Sequence, residues 1–168
     1  MKRKNSVLFL VALFFVSGCA RLFHPEYTVV LTSQNIEEKL NKKFPVEEKL
    51  GNFAIVFENL KVDIKESVIF LKVHYSARFF KIPFSEGEIV LSGKPAVDKT
   101  GKNLYIKKLK VEAVKINGKE ILNSKLKRAV SAALSEVLKE TPVFKLKNRM
   151  KIKSIKIHDG KIYVKLQL

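Results

Sequence analysis

The residues of this chain that could do chemistry are few and scattered. Histidines stand at His24, His74 and His158, far from one another, and Cys19 is the one cysteine. A zinc site needs three or four N, S or O donors, usually delivered in close pairs such as Cys-x-x-Cys or His-x-x-x-His. Neither spacing occurs. His74 lies between Val73 and Tyr75 in an alternating stretch and reads as a solvent-side strand residue. No serine sits in a Gly-x-Ser-x-Gly elbow. The acid pairs Glu37-Glu38 and Glu47-Glu48 are sequence neighbours, which on a helix point ~100° apart and do not share a proton or a metal. Glycine-rich phosphate loops are absent as well. The sequence therefore offers no catalytic residue, metal site or cofactor, and points to a binding or structural protein instead of an enzyme.

The lone thiol gains meaning from its flanks. Lys2, Arg3 and Lys4 precede about ten apolar residues, and small Ser17 and Gly18 follow. That order is the charged, apolar and small-residue sequence of a secretory signal peptide. The apolar run is too short to span a bilayer, which takes roughly 20 such residues. A lone cysteine excludes a disulfide within the chain. Val16, Ser17, Gly18 and Cys19 together resemble the lipobox of bacterial lipoproteins. The resemblance implies cleavage between Gly18 and Cys19 and acylation of the Cys19 thiol, which becomes the new N-terminus. Ala20 stands where an aspartate would signal inner-membrane retention, so the expectation is a lipid anchor in the outer membrane, facing the periplasm. Two or more acyl chains hold a protein stably at a membrane where one holds it only marginally.

The expected organisation is a signal peptide over 1–18, a lipidated tether over 19–26 and a single domain over 27–168. Loss of Lys2, Arg3 and Lys4 takes the formal charge from +17 to +14. In the envelope, so basic a domain faces anionic head groups, acidic polymers or an envelope protein, not nucleic acid. Solvated lysines on the outer face of a sheet explain the same charge equally well.

Positioning elements follow from hydrophobic periodicity. TSQNIEEKLNKKF predicts a short helix with Thr32 or Ser33 as N-cap, a stripe of Ile36, Leu40 and Phe44, and an end at Pro45. In NFAIVFENLKVDIK the apolar positions slip from odd (Phe53, Ile55, Phe57) to even (Leu60, Val62, Ile64), which predicts a kink near Glu58 and Asn59 where a bulge or a bend absorbs the slip. SVIFLKVHYSARFF and EGEIVLSGKPAV predict two further strands, and DKTG a turn. NLYIKKLKVEAVKI slips again between Ile106 and Leu109. A long amphipathic helix is predicted over about 119–139, ended by Pro142, with small Ala129, Ala132 and Ala133 at its middle. MKIKSIKIH and KIYVKLQL read as a hairpin around Asp159-Gly160. The predicted fold is α+β, in the order α-β-β-β-β-α-β-β, with a bent antiparallel sheet of about six strands wrapped on one long helix.

The chain resembles the YceB-like family of bacterial lipoproteins, a domain of unknown function similar in fold to tubular lipid-binding (TULIP) domains. The resemblance rests on Tyr27-Thr28, Thr32-x-Gln34-x-Ile36-x-x-x-Leu40, Asn59-Leu60, Pro95-x-Val97-Asp98-Lys99, Leu104-Tyr105-Ile106-Lys107, and Pro142, Phe144 and Leu146. It implies an apolar groove between helix and sheet, to which Phe57, Leu71 and Val73 would contribute from strands and Leu126, Val130, Ala133, Leu134 and Val137 from the helix. The expected function is a membrane-anchored lipoprotein that binds or shields a lipid or fatty-acyl ligand. The alternative is a structural or adaptor lipoprotein with a packed core and a basic docking surface. Twelve phenylalanines without a tryptophan suit either an apolar pocket or a core.

Overall fold

The structure, a computed structural model, describes residues 26–120, 124–147 and 149–168. Strands dominate it. The chain runs β1 (Tyr27–Leu31), α1 (Ser33–Asn41), β2 (Val46–Leu50), β3 (Phe53–Lys65), β4 (Val68–Phe79), β5 (Ile82–Val97) and β6 (Asn103–Ile116). It continues through β7 (Lys119–Glu120), α2 (Ser124–Glu140), β8 (Phe144–Lys145), β9 (Lys151–His158) and β10 (Lys161–Gln167). All recorded pairings are antiparallel: a small sheet in the order β1-β10-β9, and a large one in the order β2-β3-β4-β5-β6-β7, with β8 also on β6.

This arrangement overturns the expected α+β fold of about six strands wrapped on one long helix. The described residues form two sheets, and α2 packs beside β6. Periodicity missed the short strands for identifiable reasons. VEEKL in β2 carries too many charges to alternate, and β1 has a role only once β10, more than 130 residues away, lies beside it. The long helix also starts later than predicted, because Lys119 and Glu120 pair with β6 as β7.

Both predicted phase slips are bulges. Asn59 adopts φ 54° and the β3–β4 register shifts between Glu58 and Lys61. The bulge is held by α1. The Asn41 side chain donates to the Leu60 carbonyl at 2.8 Å and accepts from the Leu60 N–H at 3.1 Å, while Glu37 accepts from the Val62 N–H at 3.1 Å. Beyond the end of β2 these side chains supply the partners that a neighbouring strand would have provided. In β6, Lys108 at φ 55° marks the second slip. Thr32 caps α1 by accepting from the Asn35 N–H, and the Asn35 side chain accepts from the Thr32 N–H in return.

The large sheet has a closed end and an open end. At the closed end, α1, the small sheet and the chain after α2 cover its inner face. Ile36, Leu40, Ile64, Ile69, Leu104, Ile162 and Val164 bury there in one cluster with Leu71, Val73, Leu134 and Leu138. The Ile152 N–H reaches the Gly101 carbonyl at 2.7 Å and the Val143 N–H the Leu104 carbonyl at 2.8 Å, tying these segments to the β5–β6 turn. The opposite end holds the candidate site.

Candidate functional site

Four neighbouring strands line an apolar pocket of about 160 Å³ towards the open end of the large sheet. Ile55 and Phe57 come from β3, Tyr75 and Ala77 from β4, Phe84, Ser85 and Ile89 from β5, and Val114 and Ile116 from β6. The register explains their convergence. Phe57 lies opposite Tyr75, Tyr75 opposite Gly87 and Gly87 opposite Ile116, so these positions form one row on one face. Ile55, Ala77 and Ser85 form the next row. Phe84 belongs to neither, because Ala77 pairs with Ser85 and Arg78 with Pro83, leaving Phe84 as the extra residue of a bulge. A bulge re-aims a side chain, and here it adds a ring to the pocket rim.

Gly87 shapes the floor. A Cβ at this position would lie 1.9 Å from the Lys115 carbonyl oxygen and 2.8 Å from the Tyr75 ring and hydroxyl. The absent side chain lets the Tyr75 ring lie across β5 and donate to the Lys115 carbonyl at 3.4 Å. Burial pushes the Tyr75 phenol above its ordinary pKa, against a smaller opposing effect of a hydrogen bond with Ser85. The phenol is therefore neutral at physiological pH, and no lining residue carries a charge. The outer face contrasts with this: Glu58, His74, Glu88 and Lys115 follow one another across β3 to β6, and Lys72 pairs with Glu88 at 3.0 Å. His74 is thus on the polar side, as alternation predicts.

Of the residues nominated from sequence for an apolar groove, Phe57 lines this pocket. Leu71, Val73 and Leu134 are fully buried in the closed core, with Ala133 packed against it and Val137 half-buried on α2. The side chains of Leu126 and Val130 lie outside the described residues, as do Gly18 and Cys19. Between β6 and α2 runs a wider depression of about 480 Å³, lined by Ile106 and Leu109 beside Lys107, Lys108, Ser135 and Lys139; none of the nominated residues whose side chains are described lines it. Another, of about 560 Å³, follows Arg128, Ser131, Glu136 and Glu140 along α2. Among their described lining residues both carry charges, which the pocket on β3 to β6 does not.

The predicted strand SVIFLKVHYSARFF ends on Phe79 and Phe80, but strand periodicity does not show that these rings and Phe84 converge with Phe53. Phe53 lies opposite Phe79 and Phe79 opposite Ile82, extending the pocket's face to the hairpin tips. The Phe53 and Phe79 ring centroids are 4.8 Å apart, Phe79 and Phe80 4.7 Å, and Phe53 and Phe84 6.2 Å. A detectable signal was the run Phe79-Phe80-Lys81-Ile82-Pro83-Phe84, where a hairpin turn contains no Gly, Asn or Asp.

A family model described as "Protein of unknown function (DUF1439)" matches residues 31–165. The chain belongs to that family. The match extends from the last residue of β1 to within β10, a span that in this chain holds the large sheet, both helices and the residues lining the pocket. No curated protein matches the chain. Among the described residues, no group of three His, Cys, Asp or Glu could hold a metal, and no helix is long and apolar enough to cross a membrane.

Proposed function

We propose that this family member binds an acyl-type apolar ligand, a lipid or fatty acid, in the pocket on β3 to β6 while Cys19 holds it to a membrane. The observation that supports the reading is the pocket itself: nine described residues from four adjacent strands, none charged, with a neutral Tyr75 phenol on the floor. Ligand sites of this kind are apolar cavities with a few placed polar groups, and about 160 Å³ holds a segment of an acyl chain with the rest of the ligand outside. The finer resemblance, to YceB-like lipoproteins and tubular lipid-binding domains, agrees with such a ligand. The lipobox-like Val16-Ser17-Gly18-Cys19 supplies the anchor, and the outer membrane facing the periplasm is its proposed location. The protein acts by sequestering its ligand, with no bond made or broken and no cofactor.

Ala77 is the position from which to test this, because a larger side chain there grows directly into the pocket. Native mass spectrometry and a fluorescent fatty-acid probe should find ligand on the unmodified chain. Ala77→Phe should bind the probe about tenfold more weakly, the displacement of roughly two methylenes at ~0.8 kcal/mol each. Absence of co-purified lipid together with no probe binding would overturn the proposal.

A further inference from the structure

The open end exposes apolar surface that the pocket does not account for. Ile82 is 69% exposed, Phe80 63%, Phe84 59%, Phe53 49% and Phe79 42%. Single exposed apolar residues are ordinary on soluble domains, but five of them in mutual contact or direct register form a continuous patch of the kind that marks an interface. Backbone geometry presents that patch at a cost. Phe80 and Lys81 turn the β4–β5 hairpin at φ 46° and 71°, a left-handed conformation that Asn and Gly adopt readily and a bulky side chain does not. Strain held at an exposed turn of this composition points to presentation of the side chains.

Charge selects the occupant. Arg78 and Lys81 flank the rings, and neither forms an ion pair among the described residues. Lys49 on the adjoining β2 is held only loosely by Glu47, at 3.9 Å. The whole chain carries a formal charge of +17. Rings and an isoleucine lie around the tip, with Lys81 in the turn beside Phe80 and Arg78 one position inward. This suits the interface of an anionic bilayer, where a lysine keeps its ammonium at the head groups while apolar side chains enter the acyl region.

We propose that the Phe80-Lys81 hairpin tip, with Phe53, Phe79, Ile82 and Phe84, inserts into the interface of an anionic lipid bilayer while Arg78 and Lys81 meet its head groups. This inference goes beyond the pocket reading and shares one residue with it, Phe84. Where both hold, Phe84, which belongs to tip and pocket alike, borders the path of an acyl chain between bilayer and cavity.

The chain has no tryptophan, so Ile82→Trp in the full chain makes a single fluorescent reporter at the tip. With vesicles of phosphatidylethanolamine and phosphatidylglycerol, its emission should shift to the blue and be quenched by lipids brominated on their acyl chains. Phosphatidylcholine vesicles should do this weakly. Adding Arg78→Gln or Lys81→Gln should reduce partitioning about fivefold for each charge removed. Because the reporter sits at the tip, a grip of residues 1–25 on the vesicles does not produce the signal. Emission that stays water-like and unquenched on vesicles that sediment the chain would overturn the proposal and favour a protein partner. A blue shift that needs no vesicles and grows with protein concentration would also overturn it, in favour of self-association. Loss of fatty-acid uptake in Ala77→Phe is read separately, so failure of the tip and failure of the pocket are distinguishable.

Discussion

At Asp159-Gly160 the chain reverses with φ of 49° and 66°, and at Phe80-Lys81 with φ of 46° and 71°. The first turn uses residues that accept the left-handed conformation, and Gly160 passes beside the Ile64 carbonyl at the closed end of the large sheet. The second carries two large side chains into the same conformation at the open end, at ~1–2 kcal/mol per residue. With φ angles within 5° of each other, the difference lies in what each tip is for. The closed-end turn joins strands whose buried faces supply stability. The open-end turn sacrifices some stability to hold Phe80 and Lys81 outward.

The contrast is sharpest in the core beneath the two ends. Leu71→Ala should lower stability by ~2–5 kcal/mol, because a fully buried side chain leaves a cavity. Ile82→Ala, removing as large a side chain from the open end, should change it by less than ~0.5 kcal/mol. Urea denaturation of the two variants measures both, and similar losses would mean that the two ends are equally closed. A smaller effect of opposite sign is expected from replacing the open-end turn by residues suited to it. Phe80→Asn with Lys81→Gly should raise stability by about 1–2 kcal/mol in the same assay and weaken vesicle binding.

The smallest effect belongs to the β5–β6 turn at the closed end, where a carboxylate does the work that the open end leaves undone. Asp98 accepts from the Asn103 side-chain amide at 2.7 Å, from Thr100 and from the Lys102 and Asn103 N–H groups. These bonds, the Asn103 amide foremost, hold its carboxyl well below the ordinary carboxylate pKa. The folded value is depressed, so the contribution is complete above the unfolded value near ~3.9 and lost as the pH falls towards the folded one. Melting temperatures from pH 6 to 3 should show the wild-type advantage over Asp98→Asn shrinking below about pH 4. An advantage independent of pH would remove the carboxylate from this account.

Much of the local structure was legible in the order of residues. Thr32 or Ser33 marked the start of α1, which Thr32 caps, the odd-to-even slip between Phe57 and Leu60 located the kink that is the bulge at Asn59, and Asp159-Gly160 located the final hairpin. Each of these signals spans a few neighbouring residues. The short strands escaped because β1 depends on β10 and β2 depends on β3, and neither carries a pattern of its own. The candidate site was half legible: Phe57 and the phenylalanine-rich segments stood out, while Ile55, Ala77, Val114 and Ile116 are ordinary apolar positions until the strands align.

By itself the sequence determined where this chain bends, caps and turns, and which side of each long strand is apolar, because these properties depend on side-chain period and local φ preference. Only the tertiary structure decided which apolar faces are closed and which stay open. Leu71 and Phe79 occupy the same face of β4, yet one is fully buried and the other exposed. That difference comes from segments distant in sequence packing over one end of the sheet, and strand periodicity carries no record of it.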